Sequence, residues 1–113
     1  MNAKDKIILQ KIQKYIREAI SYTQGMTFGQ FMGDGRTVSA VAFAASQMGE
    51  LANNISPKTR ELYPTLPWKE LRGMRNRIIH DYENIDFNML WQTVTEDFPA
   101  LLKELDHLAL GMD

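Results

Sequence analysis

The sequence predicts an all-α protein, a four-helix up-down bundle with short additional helical turns. Three observations carry that prediction. Apolar residues recur at helical spacing along the long segments, Gly and Pro fall between those segments as punctuation, and no stretch sustains the alternation of a strand.

The first segment, about Lys4 to Tyr22, places Ile8, Ile12, Tyr15, Ile16, Ala19 and Ile20 on one stripe. Lys11, Lys14, Arg17 and Glu18 take the other face, and Gly25 marks the stop. Between Met26 and Met32, Thr27 is suited to cap a single helical turn, which Gly33-Asp34-Gly35 then breaks. Thr37 is the expected N-cap of the second long helix, which runs to about Asn53 with Val38, Val41, Ala42, Ala45, Met48 and Ala52 apolar. Many of these side chains are small, and Gly49 inside the helix costs about 1 kcal/mol relative to Ala. Together they predict a second helix in close approach.

Ser56-Pro57 reads as an N-cap followed by Pro at the first helical position of a short piece, because Pro64 and Pro67 follow. Pro67 fits the start of a third long helix, about Trp68 to Tyr82. Glu83-Asn84-Ile85 reads as a turn and Asp86 as the cap of the last helix. Leu90, Val94, Phe98, Leu101, Leu105 and Leu108 hold one helical phase across Pro99, which predicts one long helix kinked at that proline.

At 113 residues the chain is expected to form one helical domain, 1–113. The absence of Cys excludes a disulfide scaffold, a thiolate zinc site and a cysteine nucleophile. Thirteen Lys and Arg against fourteen Asp and Glu exclude a globally basic nucleic-acid binder, but leave room for a local basic cleft. No apolar run approaches the ~20 residues of a membrane span, and Met1 to Lys6 lacks the apolar region of a signal peptide. The expected location is the cytoplasm.

Chemistry concentrates in Arg72-Gly73-Met74-Arg75-Asn76-Arg77-Ile78-Ile79-His80-Asp81-Tyr82, which Lys69 extends upstream. A His moves protons near neutral pH, an Arg presents a fork of donors that matches phosphate oxygens, and Asn can orient a neighbour. This set suits phosphodiester cleavage without a metal. The plain alternative is a solvated basic face with Ile78 and Ile79 packed inward. On a continuous helix Asn76 and His80 share a face, whereas Arg75 and His80 lie about 140° apart. Either the helix distorts near its end, or two copies of the segment meet across a twofold axis. His107, beside Asp106 and Glu104, reads as a solvated residue near a helix C-terminus. The carboxylates form no recognisable metal constellation, Gly33-Asp34-Gly35 lacks the strand and Lys of a phosphate loop, and there is no Ser-centred elbow.

Arg75-Asn76-Arg77-Ile78-Ile79-His80-Asp81-Tyr82 resembles the signature of HEPN-domain proteins: Arg, a polar residue, a short spacer, then His. The form with Arg, four residues, His, one residue and Tyr is similar to the HepT group. Gly25-Met26-Thr27-Phe28, Arg36-Thr37-Val38, Met48-Gly49-Glu50, Tyr63-Pro64, Pro67-Trp68, Gly73-Met74-Arg75, Ile85-Asp86 and Trp91 resemble HepT landmarks in the same order, over nearly the whole chain. The resemblance implies a HEPN-like all-α homodimer whose Arg and His line a cleft between protomers. It further implies a metal-independent endoribonuclease toxin of a toxin-antitoxin pair, with RNA as substrate and no cofactor. The implied partner is an MntA-type nucleotidyltransferase antitoxin that silences the toxin by AMP transfer to the motif Tyr.

Carried onto this chain, Arg75 would polarise the scissile phosphate, Asn76 would help orient the cleft and His80 would act as general acid or base. Tyr82 would be the modified hydroxyl, and Arg72 and Arg77 would contact the RNA backbone. The alternative from a different class is a non-catalytic interaction module that binds the nucleotidyltransferase and is modified by it.

Overall fold

The computed structural model describes residues 1–79 and 84–108. Helix α1, Ala3–Thr23, starts where the Asn2 side chain accepts a hydrogen bond from the Asp5 N–H at 2.7 Å. Its apolar stripe is buried as expected at Ile8, Ile12, Ile16 and Ala19, with Tyr15 and Ile20 half-buried. Gln24 closes the helix, and Gly25 follows at φ 78°, the left-handed region in which a side chain would be strained. Asp5, a position its charge would place at the surface, is buried instead. It accepts hydrogen bonds from the hydroxyls of Ser56 and Thr59, both at 2.5 Å, and from the Ser56 N–H at 3.3 Å.

The short helix α2, Phe28–Met32, is fixed by a reciprocal capping box. Thr27 Oγ1 accepts from the Gln30 N–H, and Gln30 Oε1 accepts from the Thr27 N–H. Helix α3, Gly35–Asn53, begins two residues before the cap expected at Thr37. Asp34 is the cap: its carboxylate accepts from the Thr37 N–H at 3.1 Å. An ionised carboxylate in front of the first turn gains from the helix dipole as well as from the hydrogen bond, an advantage a Thr hydroxyl lacks. Helix α4, Pro57–Leu62, starts at the Ser56-Pro57 pair as read.

The third long helix is not continuous. It divides at Gly73 into α5, Trp68–Arg72, and α6, Met74–Ile78. Ile79 is extended (φ −110°, ψ 105°), pairs with Ile85 in an isolated antiparallel bridge, and is followed by an Asp86 N–H donated to the Ile78 carbonyl at 2.9 Å. Two β-branched residues in succession favour that exit, because extended backbone suits their restricted χ1. The expected helix is therefore corrected to an end at Ile78, where Ile79 turns extended; the helical-face relation drawn between Asn76 and His80 lies outside the described residues.

Asp86 caps α7, Phe87–Gln92, by accepting from the Met89 N–H at 3.0 Å. A π-helical segment, Thr93–Asp97, leads directly into α8, Phe98–His107. The run is continuous across Pro99, as expected, and the widened turn lies just before that proline. Pro99 has no N–H and its ring would strike the carbonyl four residues earlier; the wider winding moves that carbonyl aside. The Phe98 N–H bonds to the Thr93 carbonyl, and Thr93 and Thr95 hydroxyls take the Met89 and Trp91 carbonyls, each at 2.7 Å. The apolar phase survives: Leu90, Val94, Phe98, Leu101 and Leu105 are buried.

Helix α1 packs between α3 and the α8 run, and α3 also supports α5 and α6. The start of α1 meets Ser56 and Thr59, just beyond the end of α3, so α1 and α3 are antiparallel. Gln13 Nε2 and Arg17 Nη2 both donate to Asp106, at 3.0 and 2.8 Å, while Thr23 lies beside Val94, so the last run is antiparallel to α1 as well. The result is the expected all-α, HEPN-like helical bundle. No helix among the described residues is long and apolar enough to cross a membrane.

Candidate functional site

The basic segment is placed by α3. Gly49 is buried at the contact, and a Cβ built on it would stand 3.3 Å from the Leu71 carbonyl oxygen, 3.7 Å from the Arg75 amide nitrogen and 3.9 Å from the Arg72 carbonyl oxygen. The close approach anticipated from Gly49 is thus made by the stretch that carries Arg72 and Arg75. Met74 and Ile78 are buried beneath it, which leaves Arg72, Arg75, Asn76 and Arg77 exposed.

The three arginines have different surroundings. Arg72 Nε donates to Asn53 Oδ1 on α3 at 3.1 Å. Arg75 Nη1 makes a longer contact, 3.4 Å, to Asn76 Oδ1. Neither makes an ion pair among the described residues, in contrast to Arg17, which is paired with Asp106 at 2.8 Å. Arg77, two residues beyond Arg75, is turned about 200° around the helix. Its Nη2 donates to the Glu70 carbonyl at 3.0 Å, and it lines a cleft of about 250 Å³ with Glu70, Asp97, Glu104 and the apolar Leu71 and Phe98. There, desolvation pushes the Asp97 carboxyl above its ordinary value, Glu96 adds to the rise, and Arg77 opposes it. The structure therefore sets Arg72 against Asn53 of α3, pairs Arg75 with Asn76, and places Arg77 apart, on the side of Glu70 and Asp97. His80 and Tyr82 lie outside the described residues.

The contact of Asn53 with Arg72 and the exposure of Phe43 are not legible in the sequence. An Asn at the end of a helical pattern reads as a stop signal. Phe43 lies on the outer side of α3, 58% exposed, with the Tyr15 ring edge-on at 6.4 Å. Next to it, Lys11, Lys14, Glu18 and Glu50 border a groove of about 420 Å³ between α1 and α3.

Comparison with known proteins adds sequence kinship to this geometry. The family described as "Ribonuclease HepT-like" matches residues 12–108. A protein of Thermococcus cleftensis named "Probable ribonuclease HepT" is 34% identical over 96% of this chain and 98% of its own length. A Methanocaldococcus jannaschii protein named "Putative RNase MJ1380" is 35% identical over 89% of this chain and 93% of its own. Another, from Caldanaerobacter subterraneus, is 28% identical over 88% and 89% of the respective chains. No solved structure matches. With the match extending over nearly all of the helical bundle and the Arg-bearing segment, the chain belongs to the HepT-like ribonuclease family.

Proposed function

We propose that the chain is a metal-independent endoribonuclease, the toxin of a toxin-antitoxin pair. The observation that carries this reading is the pair Arg72 and Arg75, exposed, each bonded to a neutral amide and in no ion pair among the described residues, within a HepT-like ribonuclease. Guanidinium groups whose charge is not cancelled attract a phosphodiester, and the fork of donors matches its oxygens.

In the proposed reaction the 2′-hydroxyl of RNA attacks the adjacent phosphorus. A P–O bond forms to the 2′-oxygen and the P–O bond to the 5′-oxygen breaks, leaving a 2′,3′-cyclic phosphate and a 5′-hydroxyl. His80 takes the 2′-hydroxyl proton or supplies one to the departing 5′-oxygen, and Arg75 stabilises the charge that builds on the phosphate. Asn76 holds the Arg75 guanidinium. Arg72 binds the RNA backbone; Arg77, assigned the same task, does so only by leaving its contact with Glu70.

The site is completed by a second copy of the chain. Exposed Phe43, with Tyr15 and a groove rim carrying both Lys and Glu, supports a self-complementary contact on the α1–α3 side. The antitoxin is an MntA-type nucleotidyltransferase, and AMP transfer to Tyr82 silences the enzyme by placing a phosphate and bulk beside Arg75 and His80.

The test is cleavage of a 5′-labelled single-stranded RNA in EDTA. Cyclic-phosphate ends are expected from the wild type and at least about a hundredfold less product from His80→Ala. Activity abolished by EDTA would remove the metal-free mechanism, and undiminished cleavage by folded His80→Ala would remove His80 from its role.

A further inference from the structure

We propose that Asn53 is a positioning residue for RNA binding: its side-chain oxygen holds the Arg72 guanidinium by Nε and leaves both terminal nitrogens to face a phosphate. The inference rests on the ribonuclease reading and names a residue that reading does not include. Its basis is the 3.1 Å hydrogen bond from Arg72 Nε to Asn53 Oδ1. Arg Nε always carries its proton, so the atom facing it must be an acceptor, and the amide orientation is fixed.

The chemistry of the acceptor matters. A carboxylate at this position would orient the guanidinium but cancel its charge, as Asp106 does for Arg17. A neutral amide orients without cancelling. Arg75 also meets a neutral amide, but through its terminal Nη1 and at 3.4 Å from Asn76 Oδ1, so that contact occupies one of the nitrogens that the Arg72 tether leaves available. The base of the tether is rigid, because Asn53 is the last residue of α3 and Gly49, one turn earlier, is packed against the backbone of Leu71 and Arg75. Rotamers of Arg72 that point away from the site are thereby disfavoured before RNA arrives, which reduces the ordering that binding would otherwise require.

The experiment is a double-mutant cycle on affinity for a labelled single-stranded RNA, measured in the full-length chain over a range of salt, with the Arg72 Nε–Hε resonance as a separate reporter. Asn53→Leu should weaken RNA binding about threefold to tenfold, reduce the salt dependence by up to about 0.7 in log–log slope, the share of one single-strand phosphate contact, and move the Nε–Hε resonance. In an Arg72→Gln background the same substitution should do nothing further. Asn53→Asp should keep the Nε–Hε resonance in a bonded position yet lose the same share of salt dependence. A merely structural role for Asn53 would leave the slope unchanged and the two losses additive, and that result would overturn the inference while the ribonuclease reading stood. Absence of RNA binding by the wild-type chain would overturn the reading itself and the inference with it.

Discussion

Gly49 and Leu71 meet backbone to backbone: a Cβ on Gly49 would stand 3.3 Å from the Leu71 carbonyl oxygen. That distance is tighter than ordinary van der Waals contact, and Leu71 is itself buried, so neither side has free room to give. The contact sets how deeply α5 and α6 settle on α3, and through that the height of Arg72 and Arg75 above the surface. Gly49→Val should destabilise the fold by about 1–3 kcal/mol through overpacking. Urea unfolding would register the loss, and RNA cleavage should fall by more than the fraction unfolded explains, because the whole Arg-bearing segment is displaced.

Arg75→Lys keeps the charge and removes the planar fork. The side chain is exposed, so stability should change by no more than about 0.5 kcal/mol. Cleavage should nonetheless fall at least about tenfold, since a point charge cannot reproduce two parallel donors to a phosphate. Equal rates for the two proteins would mean that Arg75 acts only by its charge.

Asp34, not Thr37, closes the start of α3. Asp34→Ala should therefore lower the thermal midpoint through the lost cap, whereas Thr37→Ala should lower it markedly less. Thermal denaturation of the two variants side by side gives the order, and a larger loss at Thr37 would restore the cap expected from sequence.

Asp5 links stability to acid. Burial pushes its carboxyl up, but the hydroxyls of Ser56 and Thr59 and the Ser56 N–H outweigh that and hold it below its ordinary value. The folded state thus binds the proton less readily than the unfolded chain. The stabilisation is fully present above the unfolded carboxyl pKa of about 3.9 and is lost as pH falls through the lower folded value. Asp5→Ala leaves those donors without their acceptor and should cost about 1–3 kcal/mol at neutral pH. Its denaturation midpoint should also fall less steeply than the wild type's between about pH 4 and pH 2.

Much of this fold is written in local sequence. The stripe from Ile8 to Ile20, the Thr27 turn, the Ser56-Pro57 start and the Asp86 cap each follow from a few neighbouring residues, and each is present. What was not legible depends on distant partners. Apolar periodicity runs through Ile78 and Ile79; their β-branching favours an extended exit, but the pairing of Ile79 with Ile85 that fixes the end there is not written locally. The burial of Asp5 needs a loop some fifty residues away in sequence. For the site, residue types and spacing singled out Arg72, Arg75 and Arg77 together, but only the packed structure separates Arg77, facing Glu70 and Asp97, from the other two. Asn53 became visible only because α5 comes to rest beside it.

The widened turn at Thr93–Asp97 and the proline after it are a matched pair. Shortening the chain there by one residue would restore tight winding and drive the pyrrolidine ring into a backbone oxygen. Replacing the proline alone would leave slack with nothing to accommodate. Length variation in this stretch is therefore tolerated only when both features change at once, whereas a one-residue deletion in α1 would rotate everything beyond it by about 100° and turn its oily side toward water.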